Sequence, residues 1–290
     1  MPKTLTVIFF SVCTLATTLL AAAEMPRGHL VLNGGGSKPA AVMEKFIELA
    51  GGPDARIVIF PTASGEPDTG AYYRGLFEEY GCRNTVVADV RSKADAEDPA
   101  LAAEVGDAEG IWFAGGDQRR ITRALVDTAV GRAVEAAFAG GAVVGGTSAG
   151  TACQSGLMIT GDGDFTVITA ENVELWRGLG LFRGVIVDQH FVARRRHNRL
   201  ISVVLEHPDL VGVGVDEATA VWVRPDGTFE VLGDGWVIVY DASQAKIKRA
   251  ERGEQGAALG VHGLTTHVLL PGEVFDLNLR RVVLTRTRGR

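Results

Sequence analysis

The chain has 290 residues, 46% of them hydrophobic and 22% charged, a composition that fits one large globular domain or two small ones and excludes a disordered chain. A formal net charge of −6 argues against nucleic acid as the main partner, because a phosphate backbone selects a positive surface. In chain order, the first segment reads as targeting sequence rather than fold. Lys3 precedes an uncharged, mostly apolar run over residues 4–20, and Ala21-Ala22-Ala23 supplies the small residues of a cleavage site. Residues 1–23 are therefore expected to be a signal peptide, with 24–290 a single domain, secreted or periplasmic, and no stable membrane insertion after cleavage. An uncleaved anchor is the competing reading, since a bilayer span takes about 20 residues. Cleavage leaves only Cys82 and Cys153. Two cysteines on separate elements read better as buried small apolar side chains than as a disulfide, and no Cys/His cluster has zinc-site spacing.

The next elements alternate between short apolar runs and helical patterns. A strand over residues 29–32 ends in Asn33-Gly34-Gly35-Gly36, and residues 39–50 follow with helical spacing at Val42, Phe46 and Leu49. A buried strand over 56–60 ends at Pro61-Thr62-Ala63-Ser64; residues 69–80 are helical and 85–87 form a strand. A strand over 110–113 runs into Ala114-Gly115-Gly116-Asp117, and two helical stretches lead to a strand over 142–144. β-Branched strands with helices between them predict a mostly parallel sheet covered on both faces, an α/β fold. Beyond about residue 205 the pattern changes. Short strands over 211–215, 220–223, 229–232 and 236–240, separated by Pro-Asp-Gly and Gly-Asp-Gly turns, predict antiparallel hairpins. Residues 242–258 are polar and read as a loose excursion, and 265–284 return to strand-like alternation around Pro271-Gly272.

Ligands of open parallel sheets bind beyond the carboxyl ends of the strands. At one such end stands Gly146-Thr147-Ser148-Ala149-Gly150, a Gly-x-Ser-x-Gly after a buried strand and before a helix-compatible segment. That context makes a nucleophile elbow, with Ser148 lifted clear of the sheet and the Ala149 N–H placed to stabilise an oxyanion. The motif alone is weak in a chain with 37 glycines, where a glycine-rich packing turn is the plain alternative. A serine nucleophile needs a base. Of the histidines, His190 follows a mostly apolar strand over 181–187 and sits at the strand end where Ser148 should emerge. The base in turn needs an acceptor to orient it. The strand over 211–215 delivers Asp216-Glu217 at its end, and position alone does not choose between them.

These segments together resemble the cyanophycinases, of the peptidase family (S51) that also contains the aspartyl dipeptidases. The resemblance is carried by Gly115-Gly116-Asp117-Gln118, Gly146-Thr147-Ser148-Ala149-Gly150, Asp188-Gln189-His190-Phe191 and Val215-Asp216-Glu217-Ala218-Thr219-Ala220, in that order, and extends over roughly residues 28–285. It implies a sheet-and-helix fold like that of the class I glutamine amidotransferases. Ser148 would be the nucleophile, His190 the base and Glu217 the orienter, with the oxyanion hole built from Ala149 and the loop at Gly116 and Asp117. Gln118, Asp188, Gln189, Arg194, Arg196 and Arg199 would bind substrate. Thr151 stands where alanine is common, a departure expected to be harmless, and Ser37 where an acid is frequent.

The run Arg194-Arg195-Arg196 with Arg199 is, on the plain reading, a solvated basic helix face. Its place just after His190 gives it another. Cyanophycin is a poly-aspartate with arginine on each side-chain carboxyl, so every unit presents a guanidinium and a free carboxylate. Arg194, Arg196 and Arg199 suit the carboxylates through bidentate pairing, and Asp188 the guanidinium. The implied function is a secreted serine peptidase releasing β-aspartyl-arginine dipeptides from this polymer. No metal or organic cofactor is implied; the partner is a peptide or polymer substrate, and a homodimer is compatible with the reading. The alternatives are an exopeptidase acting on aspartyl or isoaspartyl peptides and a binding protein that keeps the fold without catalysis.

Overall fold

The computed structural model describes residues 26–251 and 256–283. The expected signal peptide lies outside the described residues. Among those described, no helix is long and apolar enough to cross a membrane.

The first half of the chain builds β1 (Leu30–Asn33), α1 (Ala40–Ala50), β2 (Ile57–Phe60), α2 (Thr69–Glu79), β3 (Thr85–Val87), α3 (Pro99–Gly106), β4 (Gly110–Phe113), α4 (Gln118–Leu125), α5 (Ala129–Gly140) and β5 (Val143–Thr147). The five strands lie in the order β1-β5-β4-β2-β3, all parallel. Each is short and apolar on both faces because each face is covered. Val31, Ile57, Ile59 and Trp112 pack on one side with Phe46 and Phe77 of the helices. Leu30, Leu32, Val58, Phe60, Ile111 and Phe113 pack on the other with Leu125 and Val134. Local chemistry sets the helix starts: Asp117 accepts from the Arg119 N–H at 2.9 Å and Thr128 from the Gly131 N–H at 3.2 Å.

From β5 the chain turns sharply into α6 (Ala149–Ala152), makes a small antiparallel pair of β6 (Leu157–Ile159) with β7 (Leu175–Arg177), and then lays down β8 (Val185–Gln189), α7 (His197–Glu206) and β9 (Val211–Val215). Here the structure departs from the hairpin expectation: β9 pairs in parallel with β8, in a separate four-stranded sheet, and α7 is the crossover between them. The reason lies in the Val-Gly-Val-Gly-Val sequence of β9. Its valines face the main core, while its glycines leave room for the crossover. A Cβ on Gly212 would lie 2.6 Å from Val204, and one on Gly214 2.3 Å from the Phe191 ring. The alternation is visible in sequence, but the partner that fills the vacant face is not.

The antiparallel part follows. β10 (Thr219–Val223) returns to the main sheet beside β1, and β11 (Thr228–Gly233) pairs with it. β12 (Val237–Asp241) joins β9 in the second sheet. β13 (Lys246–Glu251) and β14 (Ala257–His262) form a hairpin in place of the expected loose excursion. Ile247, Leu259 and Val261 account for it, packing in the cluster that covers α7. β15 (Thr265–Leu269) edges the second sheet, and β16 (Val274–Asp276) and β17 (Arg281–Val283) complete the nine-stranded main sheet. Cys82 and Cys153 are free and buried.

Candidate active site

Ser148 stands between β5 and α6 with φ 52° and ψ −109°, a backbone conformation that costs a non-glycine residue about 1–3 kcal/mol. The turn is held from β1. The Asn33 carbonyl accepts the Ser148 N–H at 3.0 Å and the Thr151 hydroxyl at 2.6 Å. The same hydroxyl reaches Gly146 O at 3.1 Å, so the threonine at 151 adds buried hydrogen bonds across the elbow. The flanking glycines are required by close approach. A Cβ on Gly146 would lie 2.5 Å from Gly150 O, and one on Gly150 2.2 Å from Phe113 O.

His190 follows β8 and Glu217 follows β9, so the second sheet carries both toward Ser148 of the first. His190 Nδ1 lies 2.5 Å from Glu217 Oε1, and Nε2 lies 2.9 Å from Ser148 Oγ. A carboxylate oxygen only accepts, so Nδ1 carries the proton and Nε2 accepts the serine O–H. Asp216, which the sequence left as an equal candidate, does something else: its Oδ1 accepts the Val192 and Ala193 N–H groups at 3.1 and 2.9 Å, pinning the turn after His190. Burial holds the His190 pKa below the ordinary 6.5. The Glu217 hydrogen bond opposes that shift, and the charges of Arg194 and Arg196 add to it.

Of the expected oxyanion donors, Ala149 opens α6 beside Ser148 and Gly116 lies in the loop after β4. Neither N–H meets an acceptor among the described residues. Asp117 differs: its N–H donates to Ala63 O at 2.9 Å, and its carboxylate caps α4 and pairs with Arg119. It therefore shapes the loop and has no free donor. Gly115 brings that loop onto the Ser148 turn, since a Cβ there would lie 3.5 Å from Ser148 Cβ.

The residues expected to bind substrate divide by burial. Arg194 is exposed and has no ion pair among the described residues. Arg196 donates from Nη1 to the Gln189 carbonyl at 2.7 Å and to the Gln189 side-chain oxygen, and burial, helped by the neighbouring Arg199, lowers its pKa to about 10. Gln118 is buried, its Nε2 donating to Ile159 O and Thr160 O at 2.8 and 2.7 Å. Asp188 does meet a guanidinium, but it is that of Arg199 in the same chain, in a bidentate pair with both side chains essentially unexposed. The Phe165 ring covers that guanidinium at 4.6 Å. Among the described residues, no cluster of His, Cys, Asp and Glu is arranged to hold a metal ion.

The model of peptidase family S51 matches residues 30–231. The chain belongs to peptidase family S51. As a member, it is a serine-type peptidase. It is 35% identical over 243 residues to a cyanophycinase of Synechococcus elongatus, covering 83% of this chain and 76% of that one. It is 36% identical over 244 residues to a cyanophycinase of Trichormus variabilis, covering 83% and 82%. A solved peptidase from an acI-B1 actinobacterium superposes with a TM-score of 0.63 at 22% identity, over 88% of this chain and 98% of that one. A putative peptidase E from Listeria monocytogenes superposes with a TM-score of 0.51 at 14% identity, over 71% and 98%. These two share the fold of this S51 peptidase.

Removing one partner of a buried ion pair leaves an uncompensated charge, so Arg199→Met is expected to cost about 3–5 kcal/mol in urea unfolding. The double variant Asp188→Leu/Arg199→Met is expected to recover most of that loss. An Arg199→Met protein of unchanged stability but weakened substrate binding would assign Arg199 to direct substrate contact instead.

Proposed function

We propose that this S51 peptidase hydrolyses cyanophycin to β-aspartyl-arginine dipeptides through an acyl-enzyme on Ser148. The observation that carries the reading is the unbroken hydrogen-bond chain from Ser148 through His190 to Glu217 on a strand-turn-helix elbow. The substrate is argued from the relatives named cyanophycinase, which align with this chain over more than four-fifths of its length, and from the cations grouped beside His190.

In this mechanism His190 Nε2 takes the hydroxyl proton as Ser148 Oγ attacks the carbonyl carbon of a backbone amide. The oxyanion of the tetrahedral intermediate is met by the N–H groups of Ala149 and Gly116. The C–N bond breaks as His190 returns the proton to the leaving amine, and an ester remains on Ser148. Water then attacks that ester with His190 again taking and returning the proton. Glu217 holds the Nδ1–H tautomer throughout and stabilises the transient imidazolium. Arg194 offers its guanidinium to a substrate carboxylate, with Arg196 and Gln189 behind it.

Ser148→Ala is expected to abolish turnover of purified cyanophycin while circular dichroism and the unfolding midpoint stay unchanged, and a fluorophosphonate is expected to label wild type only. Near-normal turnover by a folded Ser148→Ala protein would sink the serine mechanism. Turnover confined to aspartyl dipeptides would reassign the substrate but keep the mechanism.

The base must be neutral to act, and its pKa is held below the ordinary 6.5. With a neutral ester as substrate, kcat/KM is therefore expected to stay level as pH falls through 6.5 and to decline only below it. Arg194→Ala removes a repelling charge and should move that acid limb upward. A wild-type limb above 6.5 would count against His190 as the base.

We further propose that residues 1–23 are removed on export. Protein from the native host is expected to begin at Glu24 on N-terminal sequencing, and a start at Met1 or Pro2 would rule out cleavage.

A further inference from the structure

Asn33 is the last residue of β1, wholly buried, in register with Thr147 of β5 on one side and Ala220 of β10 on the other. Its carbonyl receives the N–H of Ser148, as described above. Its side chain works in both directions. Oδ1 accepts the Thr147 hydroxyl at 2.9 Å, on the residue before the serine. Oδ1 also accepts the Gly35 N–H at 2.8 Å, and Nδ2 donates to Ser37 O at 3.4 Å, spanning the glycine loop from its start to its end.

That loop is the surface on which the other two members of the proposed triad rest. Gly34 O accepts the His190 N–H at 2.7 Å and Gly35 O accepts the Ala218 N–H at 3.0 Å. A Cβ on Gly35 would lie 2.2 Å from His190 Cε1, and one on Gly36 3.2 Å from Glu217 Oε2. Gly35 has φ 121° and Gly36 φ 66°. Three consecutive glycines have no side chains with which to fix their own conformation. The fixing group is the Asn33 amide.

We infer that Asn33 is a positioning residue whose side chain locks the serine turn to the glycine loop under His190 and Glu217. It touches no substrate in this scheme. It acts by keeping the Ser148 Oγ to His190 Nε2 distance short at 2.9 Å. A misplacement of the order of 1 Å at such a contact costs about 100-fold in rate. The inference rests on Ser148 being the nucleophile proposed above.

The test compares wild type with Asn33→Leu, Asn33→Asp, Thr147→Val and Thr147→Ser. Fluorophosphonate labelling titrates active sites, and kcat and KM are measured per titrated site on a neutral ester. Asn33→Leu matches the volume but leaves the Thr147 hydroxyl and the Gly35 N–H without their acceptor, so kcat and the labelling rate are expected to fall about 100-fold with KM within about twofold. Asn33→Asp keeps the acceptor oxygen and is expected to recover at least about tenfold of that loss. If Asn33→Leu does not fold, the Thr147 pair carries the question: Thr147→Val removes one of the two bonds and should lose about tenfold in kcat, and Thr147→Ser should restore it. Per-site kcat unchanged in Asn33→Leu, or in Thr147→Val where only that pair is folded, would overturn the inference. So would an Asn33→Asp no faster than Asn33→Leu. A wild type that reacts with no fluorophosphonate would refute the serine mechanism itself and is read before any variant.

Discussion

The site depends on one close approach, that of the His190 ring to the bare backbone at Gly35. Ser148 follows β5 of the nine-stranded sheet, while His190 and Glu217 follow strands of the four-stranded one. Two sheets normally pack about 10 Å apart through their side chains. Ser148 and His190 follow strands of separate sheets and come within 2.9 Å, where side chains at Gly35 and Gly36 would crowd His190 and Glu217. The glycine run after β1 removes them. The gap is closed by backbone hydrogen bonds from His190 N to Gly34 O and from Ala218 N to Gly35 O, while Gly34 N to Thr219 O continues the β1–β10 ladder within the main sheet. Positive φ angles at Ser148, His190 and Ala218 all fall along this seam. The hydrogen bonds crossing the seam oppose the strain at these three positions.

The electrostatics follow from what stands behind the seam. One buried acid, Asp188, faces Arg199 in full and Arg196 at 3.8 Å. Two guanidinium groups on one carboxylate leave a local excess of positive charge next to a histidine already disfavoured as a cation by burial. Burial lowers the His190 pKa first, and the Arg194 and Arg196 charges add to that shift against the Glu217 hydrogen bond. The chain as a whole is acidic, so this is a property of the site and not of the surface at large. Arg194 is the exposed member of the group.

Much of this is legible in the sequence, and what is not has physical causes. The strands up to β5 are local apolar runs whose helices follow them, so their class and order can be read directly. The elbow is also local, with strand, glycines and serine adjacent in the chain. His190 is recognisable because a polar triplet ends an apolar strand. Asp216 and Glu217 are a different case. Adjacent residues at a strand end point to opposite sides, and only the partner, His190 or the Val192 and Ala193 amides, tells which does what. The same limit hides the parallel pairing of β9, which depends on Phe191 and Val204 filling the vacant glycine face. It also hides the hairpin at residues 246–262, whose apolar residues need the α7 cluster to cover them. Asn33 carried one faint signal, an amide side chain at the entry to three glycines.

Stability and geometry are drawn from different residues. One large apolar cluster joins both sheets, with Val187, Val213 and Val215 of the second beside Leu32, Val144 and Val221 of the first, and another gathers Phe46, Phe77 and Trp112 on the opposite face of the main sheet. Asn33, the glycines after it, Thr147, Ser148, Thr151, His190 and Glu217 belong to neither cluster. Core packing therefore holds the two sheets together, and directional contacts refine the alignment of Ser148 with His190. Those contacts fall on small residues, Asn33, Thr147, Thr151 and the glycines after β1. Hydrogen bonds suit the task because their energy falls steeply with misalignment, whereas burial of apolar area hardly changes over a shift of a few tenths of an ångström. A serine hydroxyl aligned with an imidazole needs that directional control. This is why the residues around it are small and polar even though the wall just behind them is aromatic.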